Sequence, residues 1–304
     1  MYPGFTYINY LTPRYWPTWL GLAVLRISVF LPYAAMKFLS HSLANLIIIV
    51  VPGRKRIAEI NIRLCFPELA ESEVQAMVRA TLKSAAMSFF ETSLAWWASD
   101  KRMKQMVSFE GVENIEVERK NNHGIILLGG HYTTLEISGR LLTYYMREFR
   151  PVYKAARNKL FNKFMISCRE KAINPLLENR DMKKIILALK KGSCVWYAPD
   201  QDFGPENSVF APFMGVKTAT LTATSRLARL SGAAVIPFYS ARCDDGKYII
   251  RFGKSFEDFP SGDDIKDASK INSAIEEHVI QYPEQYLWLH RRLKTRPQGE
   301  PKIY

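Results

Sequence analysis

Residues Gly124–Arg140 read GIILLGGHYTTLEISGR. Ile125–Leu128 form a short apolar run, Gly129 and Gly130 follow, and Glu136 stands five residues beyond His131. This order predicts a buried strand, a tight turn and the start of a helix. Five residues along a continuous α-helix turn two side chains about 140° apart, onto different faces. His131 and Glu136 can therefore meet only if His131 sits in the turn or at the helix cap, a placement the two glycines favour. A carboxylate on one ring nitrogen would fix the tautomer and leave the other nitrogen free as a base. The bland reading stands beside it: a histidine near a helix start is often structural or solvated.

Downstream, Pro151–Lys154 is a possible short strand and Leu160–Lys171 reads as a helix. Asp181–Lys191 is a second helix with Gly192 placed to cap it. Val195–Ala198 is a strand that runs into the loop Pro199–Pro205. Thr220–Leu230 reads as a helix, followed by strand Ala234–Tyr239, a turn at Asp244–Gly246 and a return strand Tyr248–Phe252. Asp264–Gln281 is a last helix. Strands alternating with helices imply an α/β fold, a mixed sheet flanked by helices.

Upstream, Ser72–Trp97 carries apolar residues at helical intervals, and Ser72 with Gln75 has capping-box spacing. That helix is expected to be core, with Trp96–Trp97 a candidate lipid-facing end. Trp16–Leu39 is largely apolar and long enough to cross a bilayer, although Arg26, Pro32 and Lys37 weaken it, so a segment lying in the interface competes. Leu43–Val51 is a second apolar run. Arg54, Lys55, Arg56 and Arg63 follow this region, against Arg14 before it, which places the bulk of a spanning chain in the cytoplasm. The composition shift divides the chain into an anchor region, residues 1–52, and a catalytic body, residues 53–304.

Of 304 residues, 48% are hydrophobic, ample for a sizeable core, and the net charge is +13. That charge suits anionic partners: nucleic acid, an acidic protein or a phosphate-rich membrane. Cys65, Cys168, Cys194 and Cys243 lack any C-x-x-C spacing and read as buried thiols of a reducing compartment. No zinc or calcium spacing, Walker loop, dinucleotide fingerprint or G-x-S-x-G elbow occurs. Asp200 and Asp202 lie in the second post-strand loop, where Asp side chains commonly cap their own turn. Arg169 could be a solvated cation or could hold an anion. Tyr286–Arg296, YLWLHRRLKTR, interleaves aromatic and cationic side chains and could grip headgroup phosphates. Nucleic-acid binding is the competing reading of the charge, and no nucleic-acid motif accompanies it.

Several stretches together resemble one family. GGHYTTLE is similar to the H-x4-D/E block of the lipid A late acyltransferases of Gram-negative outer-membrane synthesis. The resemblance continues in order through Arg14–Gly21, Asn61–Leu69, Ala188–Gly192, Val195–Pro205 and Pro283–Pro297, and is strongest toward the lauroyl-type member that uses a Kdo-bearing precursor. It implies transfer of an acyl chain from acyl carrier protein to a hydroxyl of a hydroxyacyl chain on the lipid A precursor, without a cofactor or metal. It implies His131 as general base, with Glu136 orienting and charging it. Arg169 and Asp200 match the next two blocks and are expected to support the site or hold substrate. Arg291 and Arg292 are expected at the lipid. The family departs here in having a Gly-Arg pair where this chain has Cys168–Arg169. The resemblance also implies a single-pass inner-membrane anchor with the enzyme facing the cytoplasm. A membrane-bound thioesterase using the same histidine is the alternative.

Overall fold

The computed structural model describes residues 7–121 and 123–304. Helices α1 (Trp16–Ser28), α2 (Tyr33–Val50), α3 (Pro52–Cys65), α4 (Glu71–Trp97) and the short α5 (Asp100–Lys104) come first. Strand β1 (Val107–Glu110), α6 (Val112–Lys120), β2 (Ile125–Leu128), α7 (Leu135–Leu142), β3 (Phe149–Tyr153) and α8 (Lys159–Arg169) follow. Then come β4 (Leu177–Glu178), α9 (Met182–Lys190), β5 (Cys194–Tyr197), β6 (Ser208–Phe213) and β7 (Val216–Leu221). The chain ends with α10 (Ala223–Ser231), β8 (Ala234–Arg242), β9 (Tyr248–Phe252) and α11 (Asp264–Gln281).

Seven strands form one mixed sheet in the order β1-β9-β8-β2-β5-β3-β4, and β6 and β7 pair apart from it as an antiparallel hairpin. Within the main sheet only β8 and β9 run antiparallel, joined by the turn at Asp244–Gly246, where Gly246 takes a left-handed φ of 82°. Helices cover both faces, which is why β2 is apolar at every position. Ile126 and Leu128 enter the core half built with Val78 and Leu82 of α4 and Ile271 and Ile275 of α11. Ile125 and Leu127 enter the other half with Met87, Phe90 and Leu94 of α4 and Leu141 of α7. A strand buried on both faces has no polar side to show.

The apolar run Trp16–Leu39 is not one helix, and its end continues with the second run Leu43–Val51. It breaks between Ser28 and Tyr33, ahead of the helix that starts after Pro32, and the helix of membrane-crossing length and hydropathy is α2, Tyr33–Val50. Proline disfavours helix at the residue before it, so Leu31–Pro32 is a natural break. Met36, Ser40 and Ala44, each four apart, form the buried stripe of α2. Leu22 and Leu25 of α1 pack against Trp96, Met165 and Cys168. Trp96 is therefore buried and does not face lipid.

Two local signals also resolve differently. Helix α4 begins at Glu71, and its first turn is closed by Glu73, whose Oε2 accepts from the Ala70 N–H at 2.8 Å, not by Ser72 and Gln75. Thr220 and Leu221 belong to β7, so the helix read from Thr220 begins at Ala223. The other sequence-read helices and strands appear within a few residues of their expected ends.

Candidate active site

Strands β2 and β5 are parallel neighbours, paired from Ile125–Cys194 to Leu128–Tyr197. Two chain segments therefore leave the sheet side by side at its C-terminal edge, where α/β folds place their ligands. One carries Gly129–Gly130–His131 and the other Ala198–Pro199–Asp200. Neither Gly129 nor Gly130 adopts a positive φ. Gly129 is required by close approach instead, because a Cβ there would lie 2.5 Å from Nε1 of Trp196.

Asp200 is the partner of His131. Its Oδ1 accepts from His131 Nδ1 at 2.5 Å, and its Oδ2 accepts from the His131 backbone N–H at 2.8 Å and from the Tyr286 hydroxyl at 2.9 Å. Burial alone would raise the Asp200 carboxyl; the charge and hydrogen bonds of His131, with Arg292 behind, outweigh it and hold the carboxyl well below its ordinary range. An ionised carboxylate only accepts, so Nδ1 carries a proton, and in the neutral ring Nε2 holds the lone pair. His131 Nε2 bonds to no described residue, and His131 lines the main cavity.

Glu136 is not on His131, which corrects the expected pairing. It lies in the first turn of α7, and that helix turns its carboxylate toward α8. There Arg169 Nε donates to Oε1 at 3.0 Å and Nη2 to Oε2 at 2.5 Å, while Trp96 Nε1 donates to Oε1 at 2.6 Å. Burial pushes the Glu136 carboxyl up, and the Arg169 charge and hydrogen bonds bring it down below its ordinary value. Glu136 and Arg169 form a two-pronged ion pair in the wall of the cavity that His131 also lines. The expected residues thus share one site but divide into two pairs.

Arg292 and Arg291 part company as well. Arg292 is 4% exposed, donates from Nη2 to Asn272 Oδ1 at 2.9 Å and stacks over Phe213 at 4.6 Å. It stands behind Asp200 as a buried countercharge and cannot reach a headgroup. Arg291 is exposed and lies over Tyr304. His290, 6.1 Å from His131 ring to ring, accepts through Nδ1 from Gln201 Nε2 at 2.9 Å. Burial and the neighbouring His131 lower its pKa to about 4.

The C-terminal segment locks the turn in place. Tyr132 and Tyr286 form an antiparallel bridge, Leu287 N–H donates to His131 O at 3.0 Å, and Thr133 N–H donates to Gln285 O at 2.8 Å. Behind Thr133 lies a polar cluster that the sequence reading passed over. Arg242 Nε donates to Glu91 Oε1 at 2.7 Å, Tyr248 donates to the same oxygen at 2.6 Å, and Ser84 bonds Thr133 at 2.8 Å. The available signal was Glu91 itself, the one charged residue in the stretch Ser84–Trp97 of a core helix.

The cavity has a volume of about 380 Å³, within the range of small-ligand sites. Ala95, Leu135, Val152, Ala172, Ile173 and Trp196 supply apolar lining, and His131, Glu136 and Arg169 polar lining together with Arg140, Lys154, Asn179, Gln201, Glu206 and Asn207. Among the described residues no cluster of three or more His, Cys, Asp and Glu side chains could hold a metal ion. A base with its tautomer fixed, facing this cavity, can remove a proton from a hydroxyl beside a bound hydrocarbon chain.

The fold and site are thus an α/β sheet with a carboxylate-held histidine at its C-terminal edge and a cavity beside it. The profile of the bacterial lipid A biosynthesis acyltransferases matches residues 5–295, and the chain belongs to that family. It is 40% identical over 299 residues to the lipid A biosynthesis lauroyltransferase of Escherichia coli K12, covering 97% of this chain and 96% of that one. It is 36% identical to the palmitoleoyltransferase of the same organism, covering 97% of each chain. To its myristoyltransferase it is 31% identical, over 96% of this chain and 91% of that one.

Proposed function

We propose that the protein transfers a fatty acyl group from acyl carrier protein to a hydroxyl of a hydroxyacyl chain on a Kdo-bearing lipid A precursor, with His131 as general base. The observation that carries this reading is His131 held through Nδ1 by buried Asp200, with Nε2 unbonded at the wall of the cavity. His131 Nε2 takes the proton of the acceptor hydroxyl as its oxygen attacks the thioester carbonyl. The tetrahedral intermediate collapses, the C–S bond breaks, and the carrier thiolate takes the proton from His131. General-base help of this kind is worth about 10²–10⁴ in rate. Asp200 stabilises the imidazolium formed on the way. Gly129 N–H is already committed to Tyr197 O at 3.0 Å and His131 N–H to Asp200, whereas Gly130 N–H donates to no described residue. Glu136 acts through Arg169 and Trp96, fixing the wall against which the acyl chain lies.

Acyl carrier protein is the donor, and no cofactor enters the scheme. Lys183, Lys184, Lys190 and Lys191, exposed on and just after α9, suit an acidic carrier. Helix α2 anchors the chain in the inner membrane with the body on the cytoplasmic side. Before Glu59 the chain holds Arg14, Arg26, Lys37, Arg54, Lys55 and Arg56 and no acidic residue, a balance suited to anionic headgroups.

The test is mass spectrometry of the products formed from acyl carrier protein thioester and Kdo-bearing precursor by wild type and His131→Ala. Acylated lipid from wild type, and almost none from a folded His131→Ala, is expected. Free fatty acid without acylated lipid would mark a thioesterase, and wild-type transfer by His131→Ala would overturn the assignment of the base.

A further inference from the structure

Glu91 is a fully buried carboxylate that the chemistry at His131 does not use. It lies on α4 between Met87 and Leu94, both buried in the same apolar core half. Arg242 and Tyr248, register partners on β8 and β9, both donate to it. Arg242 reaches Oε1 through Nε at 2.7 Å and Oε2 through Nη2 at 3.3 Å, and the Tyr248 hydroxyl reaches Oε1 at 2.6 Å. A buried ion pair of this kind adds little to stability, because taking both charges out of water offsets most of their attraction. Apolar side chains of similar volume often hold such a place equally well.

What apolar side chains cannot do is aim a donor. A guanidinium carries its N–H groups in a rigid fork. With Glu91 holding that fork, Arg242 Nη2 lies 3.3 Å from Ser84 Oγ and 3.4 Å from Thr133 Oγ1, and the Ser84 and Thr133 hydroxyls are joined at 2.8 Å. The Arg242 main chain is fixed as well. Its N–H donates to Gln285 Oε1 at 2.8 Å and its C=O accepts from Gln285 Nε2 at 2.9 Å, while Gln285 O takes the Thr133 N–H. Thr133 is thus gripped by side chain and by main chain, just beyond His131 in the same turn.

We propose that the Glu91–Arg242 pair is a positioning unit for the general base: it holds Thr133, and Thr133 holds the turn that presents His131 to the cavity. This role rests on reading the site as an acyl-transfer centre. Asp200 sets the tautomer and direction of the ring, and the buried pair sets where the ring stands. A displacement of about 1 Å at a reacting group can cost about 10²-fold in rate, so a modest slackening of the turn registers in kcat.

Two full-length variants break the link at opposite ends. Glu91→Leu with Arg242→Met and Tyr248→Phe removes both charges and the hydroxyl at similar volume. Thr133→Val removes only the hydroxyl that the fork reaches. In each, kcat should fall about tenfold, with KM for the acyl carrier protein thioester and the thermal unfolding midpoint near wild type. Thr133→Ser, which keeps the hydroxyl, should restore kcat. Wild-type kcat in either folded variant, or a loss confined to KM, would overturn the positioning role, and Thr133→Val decides alone if the triple variant fails to fold. A second readout needs no transfer: the ring-nitrogen NMR signals of His131 in substrate-free protein, which should shift or broaden in Thr133→Val and return in Thr133→Ser. If they move while wild type transfers nothing, the positioning role stands and the acyl-transfer reading fails. If wild type transfers and the His131 signals stay unchanged in Thr133→Val, the positioning role alone fails, whatever kcat does.

Discussion

His131 and Asp200 are separated by 69 residues, and so are Ile125 and Cys194, which pair on adjacent parallel strands. The register that joins β2 to β5 is carried past the strand ends into the site (194 − 125 and 200 − 131 are the same offset). Sheet hydrogen bonding thus places the carboxylate beside the imidazole before any loop contact is made. Tyr286 and the C-terminal segment then close over the pair.

Glu136 and Arg169 are a structural unit with a testable energy. Their side chains are only 15% and 19% exposed. Glu136→Leu leaves a guanidinium with no carboxylate and should cost about 3 kcal/mol in urea unfolding. Removing both charges, in Glu136→Leu with Arg169→Met, should recover much of that loss. Strictly additive losses would show that the pair is not coupled.

Adjacent arginines should behave oppositely. Arg292→Met removes the bond to Asn272, the stacking on Phe213 and the countercharge behind Asp200, at a cost of about 2 kcal/mol. Arg291→Ala, at the surface, should stay within about 0.5 kcal/mol of wild type. Equal effects in thermal unfolding would contradict the burial described for Arg292.

Acid sensitivity should carry the mark of His278. It is buried among Tyr132, Tyr239 and Tyr282, bonds Ser240 O through Nε2 at 3.0 Å, and its pKa falls from 6.5 to about 4, chiefly through burial. Between those values the unfolded chain binds the proton and the folded one does not. Its contribution is therefore complete above pH 6.5 and lost as pH falls toward 4, at about 1.4 kcal/mol per pH unit. Asp200 and Glu136, both lowered, lose theirs only at more acid pH. In His278→Gln the slope of unfolding free energy between pH 6 and 5 should drop by about that amount; an unchanged slope would refute the assignment.

Beside the α2 anchor, one side of α1 should add to membrane contact. Trp16, Leu20, Val24 and Ile27 recur every three or four residues and are all exposed, while Leu22 and Leu25 are buried. The helix is therefore apolar on its outer side as well as on the side it buries. Leu20→Glu with Ile27→Glu should lower the fraction sedimenting with phosphatidylglycerol vesicles several-fold and leave unfolding unchanged. Equal sedimentation would place the membrane contact elsewhere.

The sequence was most readable where signals were local. Ile125–Leu128 and Val195–Ala198 announce buried strands by continuous apolarity, and Asp264–Gln281 reads as a helix, which Asp263 caps in the structure. Strand β1 was missed because VSFE is four residues long and pairs with β9 across 141 positions (248 − 107). Residues His131, Glu136, Arg169 and Asp200 lie close together as two pairs. Their pairing was not readable, because H-x4-E measures distance along the chain. The His131–Asp200 contact depends on which strands lie side by side, and the Glu136–Arg169 contact on how α7 meets α8. Arg292 was read as surface for a similar reason: its neighbour Arg291 is exposed, and no pattern within the run tells the two apart.

The central claim is that Asp200, not Glu136, holds His131 with its Nδ1 protonated. Nitrogen NMR of the histidine ring in protein labelled at histidine tests it most directly. The account predicts an Nδ1–H tautomer for His131 in wild type, kept in Glu136→Gln and lost in Asp200→Asn. An Nε2–H tautomer in wild type, or loss of the Nδ1–H signal in Glu136→Gln with Asp200 intact, would contradict it.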